Sequence, residues 1–581
     1  MGSGADGVLV SGPVSTARGP LARGPLALSA LALGLLGLAL LAACTGMAPH
    51  PDRPAQPDLG QQPRHLVEGR AAQPTQPTQP TQPEQPEQPA QLAPAAPPAP
   101  PAQPAPAAPA ELPSQPNIIY VLADDLGYGE LGCYGQERIA TPRIDALAAE
   151  GMRFTRHYSG SPVCAPARCV LLTGLHTGHA AIRDNDELAA RGDVWNDPSL
   201  EGQRPLPSDT VTLGHRLQAA GYATAFVGKW GLGGPGSEGA PEHMGFERFF
   251  GSLCQRQAHN YYPTHLWRDG VRVPLANEPF RAHQRLPADA DPLDPASYAP
   301  YSGEQWAPDL MLDEALTFVR EQRERPFCLV FASPIPHLAL QVPADDLARY
   351  DGAFAETPYR GQAGYLPQRT PRAAYAAMIT RLDHDVGRLV DLVDELGLTE
   401  RTLIIFSSDN GPSWVGGVDR EFFASSGGLN GRKAQLLEGG IRVPMLARWP
   451  GVVPAGSESA HISGFQDLLP TLCELAGASA PDPCDGLSLV PTLRGEASQQ
   501  ARHPYLYWEY RRREQALLLE DWKALRRAPG RALELYDLAT DPGESSDVAA
   551  QHPELVARLE QLMAQAHSPS EHFELLPAED D

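Results

Sequence analysis

Four times in this sequence an apolar run ends abruptly on a residue that carries chemistry. Asn117 to Ala123 runs into Asp124-Asp125, Tyr222 to Gly228 into Lys229, Phe327 to Ala332 into a loop with His337, and Thr402 to Ser408 into Asp409-Asn410. Short continuous runs of this kind fit strands buried on both faces. Helical patterns lie between them. Pro207-Ser208-Asp209-Thr210 has capping character and opens a periodic stretch that ends near Gly221. Strands alternating with helices predict an α/β fold: a large, mainly parallel, doubly wound sheet flanked by helices. Ligand sites in such sheets gather beyond the carboxyl ends of the strands, which is where these polar residues fall.

The chain before this pattern cannot share its core. Arg18 and Arg23 flank a mostly apolar run from Leu26 to Leu41, closed by Leu41-Ala42-Ala43-Cys44. That tetrad resembles a bacterial lipobox, which implies removal of residues 1–43 as a signal peptide and lipidation of Cys44; a membrane-spanning anchor is the alternative, for which the run is short. The expected location is that of an exported, membrane-anchored lipoprotein facing the periplasm or cell surface. Residues 44–113 turn to Pro, Gln, Ala and Thr, with tandem Gln-Pro repeats from Gln73 to Pro89. They read as an extended, polyproline-like tether spanning ~200 Å at full stretch.

Ser114 to Asp581 exceeds what one core usually serves, so a catalytic domain over 114–502 and a smaller domain over 503–581 are expected. In the latter, Tyr505 to Tyr510, Gln515 to Leu525 and Ala532 to Leu538 read as strands of an antiparallel sheet, and Pro553 to His567 as a helix. With 46 Lys plus Arg against 70 Asp plus Glu, the chain is no nucleic-acid binder, and an anionic substrate must be held by local positive charge. Among the cysteines, Cys473 and Cys484 flank a turn-rich stretch and are the pair expected to form a disulfide in an exported protein.

One cysteine stands apart. Cys164-Ala165-Pro166-Ala167-Arg168 precedes the apolar run Val170 to Leu172 and then Thr173-Gly174. Pro166 fits a helix start, which places Cys164 just ahead of a helix N-terminus, where unpaired N–H groups favour an anion, with the guanidinium of Arg168 one turn in. Asp124, Asp125, Asp409 and the amide oxygen of Asn410 are hard oxygen donors on two strand ends, suited to calcium or magnesium.

The C-x-P-x-R pattern with its downstream Thr-Gly resembles the signature of the formylglycine-dependent, arylsulfatase-like type I sulfatases of the alkaline phosphatase-like superfamily. Further resemblances follow in order: Gly228-Lys229-Trp230-Gly231-Leu232-Gly233, Pro334-Ile335-Pro336-His337, Ser408-Asp409-Asn410-Gly411, and Gly431-Arg432-Lys433 with Glu438-Gly439-Gly440-Ile441-Arg442-Val443-Pro444. The resemblance implies a sulfuric ester hydrolase in which Cys164 is oxidised to formylglycine by a formylglycine-generating enzyme. It implies Ca²⁺ held by Asp124, Asp125, Asp409, Asn410 and the modified Cys164, with Arg168, Lys229, His337 and Lys433 completing the catalytic set. Where the family commonly has His after Gly-Lys-Trp, this chain has Gly231. His179, Arg183 and His259 are candidate substrate-binding residues. Trp195, Tyr261, Tyr262, Trp267 and Trp306 offer aromatic faces for a small-molecule or oligosaccharide sulfate ester. Two other readings share these residues: a phosphate or phosphonate monoester hydrolase of the same superfamily, and a catalytically silent, tethered glycan-binding lipoprotein.

Overall fold

The computed structural model describes residues 114–187 and 201–577. The expected signal segment, Cys44, the expected tether and Trp195 lie outside the described residues. No helix among the described residues is long and apolar enough to cross a membrane.

The main sheet contains β1 (Asn117–Ala123), β2 (Met152–Tyr158), β3 (Ala223–Lys229), β4 (Arg248–Ser252), β5 (His265–Arg268), β6 (Val271–Pro274), β7 (Phe327–Ala332), β8 (Thr402–Ser408), β9 (Arg442–Arg448), β10 (Ser457–Ser459) and β11 (Ser463–Gly464). Their order is β10-β2-β9-β8-β1-β7-β3-β4-β5-β6, with β11 also on β2. The centre, β8-β1-β7-β3-β4, is parallel; β9 runs antiparallel to β8 and β2, and the β4-β5-β6 edge is antiparallel. The four apolar runs are the four central strands, and all their residues are buried.

Alternate residues of β1 feed two cores, as the two-residue period of a strand demands. Ile118, Tyr120 and Leu122 face one layer, shared with the helices α2 (Cys164–Thr173) and α3 (Leu213–Ala219) and with the helix Leu468–Ala476. Ile119, Val121 and Ala123 face the other, shared with α1 (Pro142–Ala149), α4 (Ala307–Gln322) and the long helix Pro371–Glu395. Burial on both sides fixes the strands' depth, and with it the height at which Asp124, Lys229 and Asp409 emerge. Gly228 adds a local constraint: at φ +121° a Cβ there would stand 1.9 Å from the Ala332 carbonyl oxygen, so only glycine lets β3 lie this close to β7 ahead of Lys229.

A second, antiparallel sheet follows, β12 (Leu506–Tyr510), β13 (Glu514–Leu519), β14 (Trp522–Arg526) and β15 (Glu534–Asp537) in sequential order, with the helix Pro553–Ala566 packed on it. The stretch expected as one strand, Gln515 to Leu525, is two: Glu520, at φ +53°, and Asp521 turn the chain between β13 and β14. The expected Cys473–Cys484 disulfide is not formed; all seven described cysteines are free thiols, and the Cys484 sulfur sits over the Gly174 carbonyl at 3.7 Å instead. Helix α2 starts at Cys164 rather than at Pro166, because extended Val163 is the residue that breaks from helical geometry.

Candidate active site

The carboxyl ends of β1, β3 and β8, the loop after β7 and the first turn of α2 converge. One donor atom each from Asp124, Asp125, Cys164 and His337 lie within 4.8 Å of one another. The Cys164 sulfur is 3.3 Å from Asp124 Oδ1 and 3.9 Å from Asp125 Oδ1. Asp409 Oδ1 accepts the Asp125 backbone N–H at 3.1 Å, and Ser408 Oγ accepts that of Leu126 at 2.9 Å, which ties β8 to the turn after β1. Asp125 adopts φ +66° in that turn, a strained geometry for a non-glycine residue that recurs at functional sites. Asn410 Nδ2 donates to Asp125 Oδ1 at 2.7 Å, while Asn410 Oδ1 is buried without a hydrogen-bond partner among the described residues.

Three cations meet these three carboxylates. Lys229 Nζ lies 2.5 Å from Asp124 Oδ2; Lys433 Nζ lies 2.6 and 2.9 Å from the two Asp125 oxygens and 3.4 Å from the Cys164 sulfur. Arg168 donates to Asp409 Oδ2 at 2.9 Å and to the Lys229 carbonyl, with Asp124 Oδ2 at 3.4 Å. Burial would raise the Asp124 carboxyl, but Lys229, His337, Arg168 and Lys433 together hold it well below the usual carboxylate range. Burial, then the neighbouring Asp124, push Asp409 up to about 6. Burial, then Asp124, raise the Cys164 thiol, so it is a protonated thiol at neutral pH. Burial would also lower Lys433, and Asp125 more than reverses it, so the ammonium stays charged.

His337 Nδ1 donates to the Leu338 carbonyl at 2.7 Å, which leaves Nε2 facing Asp125 Oδ2 at 3.7 Å. Burial, then Lys433 and Lys229, pull His337 down to about 4. Tyr261 fixes this loop by donating its hydroxyl to the Pro334 and His337 carbonyls at 2.6 and 2.7 Å.

Of the candidate substrate-binding residues, His259 reaches the site: its ring stacks on His337 with centroids 4.6 Å apart. Arg183 and His179 do not. Arg183 is buried, with Nη1 3.0 Å from Glu509 Oε2 and 2.9 Å from the Ser568 carbonyl, and His179 Nδ1 lies 2.9 Å from Asp485 Oδ2, beyond the far end of α2. Tyr261, Tyr262 and Trp306 are packing residues in the second core layer, and Trp267 Nε1 is engaged by Glu201. Sequence reading missed Tyr365 and His283. Tyr365, at φ +62°, has its ring 5.4 Å from His259 and 6.0 Å from His337, with His283 4.6 Å from it and 5.7 Å from His259. Burial raises its phenol, while the Lys433 ammonium pulls it down. The sole hint in the sequence is the glycine-flanked Gly361-Gln362-Ala363-Gly364-Tyr365, which lacks any period.

Asp124, Asp409 and Lys229 at the strand ends of a mixed α/β sheet, joined by Cys164 from α2 and Lys433 from the loop after β8, compose this site, and the proteins this chain is similar to are sulfatases of the alkaline phosphatase-like superfamily. The sequence profile of the sulfatase family matches residues 116–478, and that of the N-sulphoglucosamine sulphohydrolase C-terminal region matches 432–568. The chain belongs to the sulfatase family, whose members are sulfuric ester hydrolases. It is 34% identical over 490 residues to arylsulfatase A of Homo sapiens, covering 77% of this chain and 87% of that one. It is 29% identical over 509 residues to the N-acetylgalactosamine-6-O-sulfatase of Bacteroides thetaiotaomicron, covering 78% and 93%. The crystal structure of Ps i-CgsB in complex with k-i-k-neocarrahexaose superposes with a TM-score of 0.61 at 26% identity, over 78% of this chain and 92% of that one.

Proposed function

We propose that the protein hydrolyses sulfate esters of carbohydrates at this cluster, with Cys164 converted to formylglycine and a calcium ion held among the carboxylates. The observation that carries the reading is the meeting of Cys164, three carboxylates and two lysines, with the Asn410 amide on Asp125 and its oxygen buried without a partner among the described residues. An amide oxygen with no donor to accept from and the carboxylate oxygens of this cluster are the hard donor types that suit calcium. Asp124, Asp125, Asp409 and Asn410 Oδ1 would hold the ion together with residue 164. When bound, calcium supplies a hard Lewis acid, and hydrated formylglycine supplies two hydroxyls on one carbon.

The remaining residues divide the work by charge. Three cations balance three carboxylates, so a divalent cation among the latter frees Lys229 and Lys433 to hold the sulfuryl oxygens and the charge that grows on the bridging oxygen. Arg168 keeps residue 164 and Asp409 in register. His337, held neutral by burial and then by the fields of the two lysines, gains a proton more readily once a bound anion offsets those fields, and its Nε2 then delivers that proton to the departing alcohol oxygen. His259, Tyr365 and His283 wall the side on which the alcohol's sugar would lie. Action on carbohydrate is supported by the similarity to an N-acetylgalactosamine-6-O-sulfatase and to the structure in complex with k-i-k-neocarrahexaose. Export and anchoring through lipidated Cys44 complete the proposal.

The test is the mass of the tryptic peptide His157 to Arg168 from protein made together with a formylglycine-generating enzyme. Conversion of thiol to aldehyde lowers it by about 18 Da. Desulfation of sulfated sugars should accompany the change and vanish in Cys164→Ala. Turnover with the thiol intact would overturn the reading, and so would a folded, converted protein that releases phosphate but not sulfate.

A further inference from the structure

Beside Arg168 lies a small polar site that the scheme above does not use. Gly231 sits at φ +79°, a conformation other residues rarely adopt, and the backbone there is pinned by Gly231 N donating to the Leu253 carbonyl at 3.1 Å and Trp230 N to that of Ser252 at 3.0 Å. A Cβ on residue 231 would stand 3.4 Å from Gln255 Oε1 and 4.0 Å from Arg168 Cδ. No side chain grows into that place, and Gln255 and Arg168 wall it.

Both walls present an orphan. Gln255 is 2% exposed and Arg168 1%, yet Gln255 Oε1 and Arg168 Nε are buried with no hydrogen-bond partner among the described residues. The orientation of the Gln255 amide is not arbitrary. Its nitrogen donates to Glu187 Oε1 at 3.1 Å, and a carboxylate accepts only, so the amide oxygen must face Gly231. Glu187 is itself held by Arg256 Nε at 3.2 Å. One buried acceptor, Oε1, thus faces the site, and one buried donor, Nε, is bonded to the Cδ that lines it. An anion has nothing to donate to Oε1, an ammonium has nothing to accept from Nε–H, and an apolar group satisfies neither. The group that matches is a hydroxylic oxygen.

We propose that Gln255 Oε1 and Arg168 Nε together bind a hydroxylic oxygen, either a water or one hydroxyl of residue 164 after conversion and hydration, and that Gln255 is a positioning residue for that oxygen. Arg168 lies one helical turn from residue 164 on the same face of α2, so an oxygen on its Nε stands beside the reacting residue. The catalytic half of this inference rests on the function proposed above; the binding half does not.

A crystal structure of the full chain with unmodified Cys164, resolved well enough to show waters, tests the binding half alone. The expected result is an oxygen about 2.7–3.2 Å from both atoms. In the converted protein, the same place is filled either by that water or by a hydroxyl bonded to residue 164, which separates the two sources. A direct bond from Arg168 Nε to Gln255 Oε1, or no oxygen there, overturns the proposal. Gln255→Met, which removes the acceptor and keeps the bulk, should lower kcat about tenfold with KM within about twofold. If that protein does not fold, Gly231→Ala puts a methyl against Oε1 and should have the same kcat effect. Unchanged kcat in a folded variant refutes the positioning role.

Discussion

Replacing Lys523 by methionine tests how the second sheet is coupled to the reaction centre. Lys523 lies on β14 with no exposed surface, its Nζ 3.0 Å from Glu438 Oε1 and 2.9 Å from Glu544 Oε1. Glu438 N donates to Glu544 Oε2 at 2.7 Å, and Tyr158 donates to Glu438 Oε2 at 2.9 Å. Glu438 closes the segment that carries Lys433, so the ammonium of one sheet anchors a lysine loop of the other. Methionine keeps the length and removes the charge, leaving two carboxylates buried side by side. Breaking a buried pair in this way costs ~3–5 kcal/mol, and Arg442 Nη1, 3.5 Å from Glu438 Oε2, keeps the loss toward the lower end. With a slope of ~3 kcal/mol per M for a large chain, the urea midpoint should fall by about 1 M. Unfolding followed by tryptophan fluorescence, with sulfate release assayed in parallel, reads both consequences, and kcat should drop more than about tenfold as Lys433 loses its register. Adding Glu544→Gln should recover part of the stability, because it removes one of the two stranded charges. An unchanged midpoint together with unchanged kcat would refute the coupling.

His337→Ala should cost ~10²–10⁴ in kcat/KM on sulfated sugars and far less on aryl sulfates whose leaving groups need no proton, a contrast read by comparing the two substrates. His503 gives a pH signature remote from the site. Burial lowers its pKa, but Asp467, whose Oδ1 lies 2.7 Å from Nε2, and then Asp485 raise it above the ordinary value; His461 and Arg502 are the other charges nearby. A raised folded pKa means that this stabilisation is fully present below the unfolded value of ~6.5 and is lost as pH rises through the folded one. Urea midpoints taken from acid to alkaline pH should fall across that window in the parent protein and not in His503→Gln.

What could be read in the sequence follows from burial. β1, β3, β7 and β8 are enclosed on both faces, so their apolar runs are unbroken and their ends are marked by the polar residues that follow. That pattern carried the sheet and brought Asp124, Lys229, His337 and Asp409 to one place. The β13–β14 turn was hidden because Leu519 and Trp522 keep the stretch apolar on both sides of Glu520-Asp521. Arg183 and His179 follow the motif cysteine closely in sequence, yet α2 carries them to its opposite end, where Glu509 and Asp485 take them. Tyr365 and His283 lie in aperiodic loops and meet His259 only through tertiary packing. Gln255 and Lys523 are polar residues whose partners are remote in sequence, which no local pattern announces.

Every residue of α2, from Cys164 to Thr173, is buried between the sheet and neighbouring helices. The cysteine is 1% exposed, and Val170 to Leu172 behind it are core. The conversion proposed for Cys164 would need the peptide drawn out in an enzyme's cleft, and extracting this helix from the finished protein would dismantle one of the two core layers. On that proposal the time available for altering Cys164 is set by folding itself: it opens when the segment is synthesised and closes when α2 docks. Co-production with the maturation machinery is consequently a matter of order as well as of presence, and a chain that folds too early is sealed with its thiol.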